Sequence, residues 1–260
     1  MILTLDIGNT NIKCGLFENG RLYRSWRMSS SREKTADELG IAMESFFAHI
    51  NRAPAEVEGI IVSSVIPSIN YTIEHMCQLY FPGPKLIFVG PGVRTGINLR
   101  YENPKGLGAD RICNAVAAWR LYGGPVITVD FGTATTFGAI SEKGDFLGGA
   151  ICPGVKISAA TLIEKTAQLP KVELVKPKTV IGTNTIHCIQ SGIVYGYVGQ
   201  VDYLIEGISR ELEMDRPRVV ATGGMARLIA SESRYPIEIN SILTLQGLYM
   251  IYEMNTVKQR

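Results

Sequence analysis

What the sequence lacks narrows its function first. No block of like charge interrupts the 260 residues, and 26 Lys and Arg against 24 Asp and Glu leave a formal net charge of +2. The basic stripe that binds nucleic acid is therefore missing, and a small, partly anionic ligand suits the charge balance better. Long hydrophobic runs are missing too. The opening stretch Met1–Leu5 is broken by Asp6, carries no basic leader and is far shorter than a signal core or a membrane span. A cytoplasmic protein, away from membranes, is expected. Cysteines number 5 (Cys14, Cys77, Cys113, Cys152 and Cys188) and include no C-x-x-C pair. That pattern excludes a disulfide framework and points to reduced, mostly buried thiols. The 3 histidines, His49, His75 and His187, share no metal spacing. His187 and its neighbour Cys188 would splay to different faces of any regular element, so no zinc site is expected.

What is present is an ordinary globular composition, 46% hydrophobic and 19% charged, in a chain long enough for two modest cores or one large one. Self-similarity decides between them. "TLDIGNTNIKCGLFENG" from Thr4 aligns without gaps on "TVDFGTATTFGAISEKG" from Thr128. The pairs Thr4/Thr128, Asp6/Asp130, Gly8/Gly132, Glu18/Glu142 and Gly20/Gly144 coincide. Each stretch reads as strand, tight polar turn, strand, second turn and a further strand, which is a β-meander. Two similar α/β halves around a central cleft follow, 1–122 and 123–260, with the boundary near "LYGGP".

Later in each half a β-branched run ends in small residues and leads into a helical pattern: "GIIVSSVIPS" in the first, "RVVATGGMARLIA" in the second. At Gly223 and Gly224 a ligand could approach the backbone closely, and a helix starting there would offer N–H groups to an anion; a plain strand-to-helix turn is the alternative. "TADELGIAMESFFAHI" and "GADRICNAVAAWRLYG" have helical apolar spacing, and "QSGIVYGYVGQVDYLIEGISREL" is a longer helix. Its Gly192, Gly196 and Gly199 permit close helix packing, within the chain or between subunits.

An aspartate ending an apolar strand needs donors or a cation. Alone, Asp6 could simply cap its turn. Repeated in frame as Asp130, it suggests two carboxylates converging beside the Gly8-Asn9-Thr10 and Gly132-Thr133 loops. Such loops cradle phosphates, and carboxylates attract the cations that accompany polyphosphates. Asp6 then sits where the metal of a nucleotide would be.

"DIGNTNIK", "GLGADR", "TVDFGTATTF" with "GGAICPG", and "ATGGMARL" occur in that order. Together they closely resemble type III pantothenate kinase, of the acetate and sugar kinase, chaperone and actin superfamily, over essentially the whole chain. The resemblance implies a duplicated ribonuclease H-like, actin-like ATPase fold and ATP-dependent phosphorylation of pantothenate to 4′-phosphopantothenate, the first step towards coenzyme A. It also implies a homodimer with shared active sites that needs Mg²⁺ and a monovalent cation, K⁺ or NH₄⁺. Carried over by residue, Asp6, Ile7, Gly8, Asn9, Thr10, Asn11, Ile12 and Lys13 form the first phosphate loop. Thr133 contacts the ATP phosphates, and Asp130 binds the monovalent cation. Asp110 is the general base, with Gly108, Ala109 and Arg111 lining pantothenate and Tyr101 and Thr185 completing its site. Asp110 also reads as an ordinary first-turn helix aspartate. A non-catalytic nucleotide- or pantothenate-sensing regulator of the same fold, or a kinase for another small hydroxy or acid substrate, are the competing readings.

Overall fold

A computed structural model describes residues 1–256. The chain divides into two compact units, one of residues 1–96, 103–117 and the segment from 244 on, the other of 97–102 and 118–243. The halves 1–122 and 123–260 are a proposal about duplication in sequence; compactness groups the C-terminal helix with the first unit instead.

In the first unit, β1 (Ile2–Ile7), β2 (Asn11–Glu18) and β3 (Arg21–Ser29) form the meander, followed by α1 (Ala36–His49), β4 (Gly59–Ser64), α2 (Asn70–Tyr80) and β5 (Lys85–Phe88). The sheet order is β3-β2-β1-β4-β5, antiparallel through the meander and parallel from β1 to β4 and β4 to β5. Strand alternation sends Leu3, Leu5 and Ile7 into a core with Leu39, Met43, Phe47, Ile73 and Met76 of α1 and α2. Helix α1 starts where the sequence supplies a capping box, with the Thr35 hydroxyl accepting the Glu38 N–H and the Glu38 carboxylate accepting the Thr35 N–H.

The second unit repeats the plan. Helix α3 (Ala109–Tyr122) leads into it, and β6 (Asn98–Leu99) lies at its edge. Then come β7 (Val126–Phe131), β8 (Ala134–Ile140), β9 (Asp145–Gly148), β10 (Ile151–Pro153), α4 (Val155–Glu164), α5 (Thr185–Glu211), β11 (Val219–Gly223), α6 (Ala226–Ala230) and β12 (Ile237–Ile239). The path β9-β8-β7-β11-β12 matches β3-β2-β1-β4-β5 strand for strand, with β7 parallel to β11 as β1 is to β4. The duplication expected from the repeat is thus present in topology. Ile127, Val129 and Phe131 pack into a core with Tyr197, Val198, Val201 and Ile205 of α5.

Helix α7 (Leu243–Thr256) belongs to the first unit from Thr244 on. Two glycines let it come close there. Gly247 lies against the Cys113 backbone and Gly59 against the Tyr252 ring, so a Cβ at either would collide. The Thr244 hydroxyl donates to Asn114 Oδ1 at 2.8 Å. Helix α5 begins at Thr185, five residues before the expected start at Gln190, because the Asn184 side chain caps it by accepting the His187 N–H at 2.9 Å. A Cβ at Gly192, Gly196 or Gly199 would meet no described atom within 4 Å beyond its chain neighbours and the adjacent backbone of its own helix. Among the described residues no helix is long and apolar enough to cross a membrane.

Candidate functional site

The residues singled out in the first unit gather at the C-terminal end of β1. Asp6 is only 5% exposed, the last polar side chain on a strand otherwise built of apolar residues and Thr4. Its cross-strand neighbours are Lys13 on β2 and Ser63 on β4. Lys13 Nζ stands 3.3 Å from Asp6 Oδ2, which offsets part of the cost of burying the carboxylate. The following turn is tightly specified. The Gly8 N–H donates to the Asn11 carbonyl at 3.0 Å, while Ser30 donates its hydroxyl to the Gly8 carbonyl at 2.6 Å and its N–H to Thr10 at 3.0 Å. Asn9, Thr10 and Asn11 are left exposed on this braced turn. Ser30 was not foreseen; nothing in the run Ser29-Ser30-Ser31 announces that its middle residue braces the loop.

Asp110 is the second residue of α3. The Gly108 carbonyl accepts the N–H groups of Arg111 at 3.1 Å and Ile112 at 3.2 Å, and Asp110 Oδ1 accepts the Arg111 N–H at 2.8 Å. A purely structural aspartate would make the same bond, and the positive helix end favours its charge either way. Two features set it apart. Gly108 is pressed so close that a Cβ there would stand against Asp110 Oδ1 and 3.8 Å from Val65, the residue whose N–H bonds the Ile7 carbonyl at 3.1 Å. The fully buried Cys113 thiol is pushed well above its ordinary pKa by burial first and then by the charges of both Asp6 and Asp110. The two carboxylates therefore act on one locale. Ala109 and Arg111 are buried beside them on the same helical turn.

In the second unit Asp130 lies near the end of β7, with Thr136 of β8 and Thr222 of β11 as its cross-strand neighbours. The Gly132 N–H donates to the Ala134 carbonyl at 3.1 Å, closing a turn that exposes Gly132 and Thr133. Gly223 has φ +94°, and a Cβ there would meet the Phe131 carbonyl carbon and oxygen at 2.5 Å and Asp130 Oδ1 at 2.7 Å, so only glycine fits. Asp130, Gly132, Thr133 and Gly223 are thus brought together, with the exposed Gly224 next in the chain. The helix after Gly223-Gly224 is short, running from Ala226 to Ala230.

Tyr101 sits apart from this group, just beyond β6, its ring 6.2 Å from that of Phe146 and three strands along from β7. Thr185 is the exposed first residue of α5. Among the described residues no group of three or more His, Cys, Asp or Glu side chains could hold a metal ion.

Comparison with known proteins places this geometry among relatives. Residues 2–207 match the type III pantothenate kinase family. A type III pantothenate kinase of Bacillus cytotoxicus is 48% identical over 259 residues, covering 100% of this chain and 98% of that one. Among solved structures, a putative Baf family transcriptional activator from Campylobacter jejuni superposes with a TM-score of 0.62 at 19% identity, covering 97% of this chain and 98% of the other. A putative 2-dehydro-3-deoxygalactonokinase from Sinorhizobium meliloti gives 0.62 at 10% identity over 100% and 98%. Likeness at such low identity carries the fold alone, and it is the fold of the sugar kinases and actin-like ATPases.

The buried thiols near Asp6 make stability depend on alkaline pH. Burial, then Asp6 and Cys77, push the Cys14 pKa up, and burial pushes Cys77 from 9.0 to about 12. A thiol that keeps its proton longer when folded leaves the unfolded chain with fewer protons above pH 9.0. Its contribution is complete below 9.0 and is lost as pH rises through about 12. Urea unfolding measured at rising alkaline pH should show falling stability, and Cys77→Ala should remove up to about 1.4 kcal/mol per pH unit from that slope. An unchanged slope would mean that Cys77 titrates normally in the folded protein.

Proposed function

Since the chain belongs to the type III pantothenate kinase family, and so phosphorylates pantothenate on the route to coenzyme A, we propose that Asp110 is its general base. The carboxylate takes the proton of the pantothenate hydroxyl as that oxygen bonds to the γ-phosphorus of ATP and the bond from phosphorus to ADP breaks. The observation that supports this most is the place of Asp110 at the start of α3, where a glycine, Gly108, keeps the space beside the carboxylate clear and stands close to Val65, whose N–H bonds the carbonyl next to Asp6 in the chain, that of Ile7. Ala109 and Arg111 line the acceptor, and Tyr101 completes its site.

Asp6 through Lys13 form the first phosphate loop. Its exposed Asn9, Thr10 and Asn11 meet the phosphates, and Lys13 offers them positive charge. Thr133, Gly223 and Gly224 are the corresponding contacts on the second unit. A kinase works with a divalent metal carried by its nucleotide. Asp6, a hard oxygen donor at a strand end, fits Mg²⁺, which takes one or two carboxylates and fills its shell with phosphate and water oxygens. When bound, the ion draws charge from the transferring phosphoryl group. Asp130 suits a monovalent cation, K⁺ or NH₄⁺, because its cross-strand neighbours are threonine hydroxyls rather than a lysine.

The protein acts in the cytoplasm as a homodimer, with no part for nucleic acid or membrane. The open glycine face of α5 supports a second copy, since nothing in the described chain packs close against it. Thr185 reaches pantothenate held on the partner subunit. The regulator reading has only fold likeness behind it, and all three aspartates are retained here.

Purified protein should release ADP with pantothenate and not with sugars or acetate. Asp110→Asn should fold normally and lose about 10²–10⁴ in turnover; near-full turnover would return Asp110 to a helix role. Asp130→Ala should blunt the response to potassium in the same assay, and undiminished stimulation at the same concentrations would reject the cation assignment. Mixing tests the shared site. Asp110→Ala and Thr185→Arg, each inactive alone, should regain roughly a quarter of parental activity after dissociation and random reassociation, because each mixed dimer carries one intact site. A mixture that stays inactive would place both residues in a site within one chain.

A further inference from the structure

Tyr197 lies on α5, 8% exposed, in the core that also buries Val129 and Phe131 of β7. Its ring is ordinary core material, but its hydroxyl is not. It donates to the Pro153 carbonyl at 2.9 Å and lies 2.5 Å from the Ser158 hydroxyl on α4. A phenol has one hydrogen. With that hydrogen spent on Pro153, Ser158 must be the donor to Tyr197, giving a relay from Ser158 to Tyr197 to the Pro153 carbonyl.

What the relay holds is the residue that presses on the phosphate turn. Pro153 ends β10 and pairs with Ala134, the first residue of β8 after the Gly132-Thr133 turn. Gly154 follows, packed so tightly on the carbonyls of Gly132 and Thr133 that a Cβ there would collide with both. The Gly154 carbonyl in turn accepts the Ser158 N–H at 2.9 Å, tying the start of α4 to the same point. Backbone in contact leaves no slack: wherever the Pro153-Gly154 peptide is fixed, the turn beside it is fixed as well.

We infer that Tyr197 is a positioning residue for the nucleotide, its hydroxyl setting through Pro153 and Gly154 where the Gly132-Thr133 turn stands. The inference rests on the proposed contact between Thr133 and the ATP phosphates. Loss of the hydroxyl frees the Pro153 carbonyl, lets the turn shift by a fraction of an ångström and weakens the hold on ATP, while none of the relay's hydrogen bonds involves Asp110, Tyr101 or Thr185.

The experiment compares Tyr197→Phe, Ser158→Ala and Thr133→Ala with the parent, reading KM for ATP, KM for pantothenate, kcat and thermal midpoint. Tyr197→Phe should raise KM for ATP about fivefold or more, with kcat within about twofold and KM for pantothenate unchanged. Ser158→Ala should move the same constant in the same direction by less, and it decides the matter should Tyr197→Phe not fold. A merely structural hydroxyl would lower the thermal midpoint and the active fraction but leave both KM values where they were, and that outcome overturns the inference. Thr133→Ala separates the two levels. If it leaves KM for ATP unchanged, the proposed nucleotide contact is wrong; if it raises KM and neither hydroxyl variant does, the contact stands and the relay is rejected.

Discussion

Burial of one carboxylate at the end of β1 is the constraint on which the first unit is organised. Asp6 could not remain charged at 5% exposure without a partner, and Lys13 supplies one at 3.3 Å. The pair exists only in one register. Asp6 faces Lys13 because the Gly8 N–H closes on Asn11, and a slip of one residue would send Lys13 to the α1 and α2 face, among Leu3, Leu5 and Ile7. Turn geometry, strand register and the charge pair are therefore a single condition. Its influence extends outwards: burial raises the pKa of Cys14 beneath it and of Cys113 on α3, and the same charge adds to both shifts.

Much of this was legible because it is local or repeated. The aspartate and glycine frames at Asp6 and Asp130 place both meanders, and Thr35 with Glu38 marks the start of α1. Asp110 could be placed on a helix start from spacing alone, though its role came only from resemblance. What stayed hidden depends on contacts distant in sequence. Helix α7 joins the first unit because Gly247 meets the Cys113 backbone and Gly59 meets Tyr252, and neither glycine looks different from one in a turn. Likewise "GGAICPG" is visible as a motif, while the fit of Gly154 on the Thr133 carbonyl is not.

Fold and function separate cleanly in this protein. The fold is shared with a putative Baf family transcriptional activator at 19% identity and with a putative 2-dehydro-3-deoxygalactonokinase at 10%. Architecture at that distance cannot choose an acceptor. The choice comes from the sequence match along residues 2–207 and from 48% identity to a pantothenate kinase over its whole length. What the architecture does contribute is position: in both units the aspartate stands at the C-terminal end of the first strand, beside a parallel neighbour, where an open α/β sheet offers backbone N–H groups and room for a ligand.

Duplication then allowed the two aspartates to diverge without moving. Asp6 and Asp130 occupy equivalent places, each between an antiparallel and a parallel neighbour, but the side chains alongside differ: Lys13 and Ser63 for the first, Thr136 and Thr222 for the second. A lysine beside a carboxylate supplies a fixed positive charge and suits a loop that must meet several phosphate charges. Threonines instead bring neutral hydroxyls, which can donate or accept a hydrogen bond and add no charge. Gly223 serves the same end by bringing the β11 backbone within reach of Asp130, a closeness no side chain would allow. One repeated frame thus surrounds its aspartate with different chemistry in each copy, a lysine and a serine in the first and two threonines in the second.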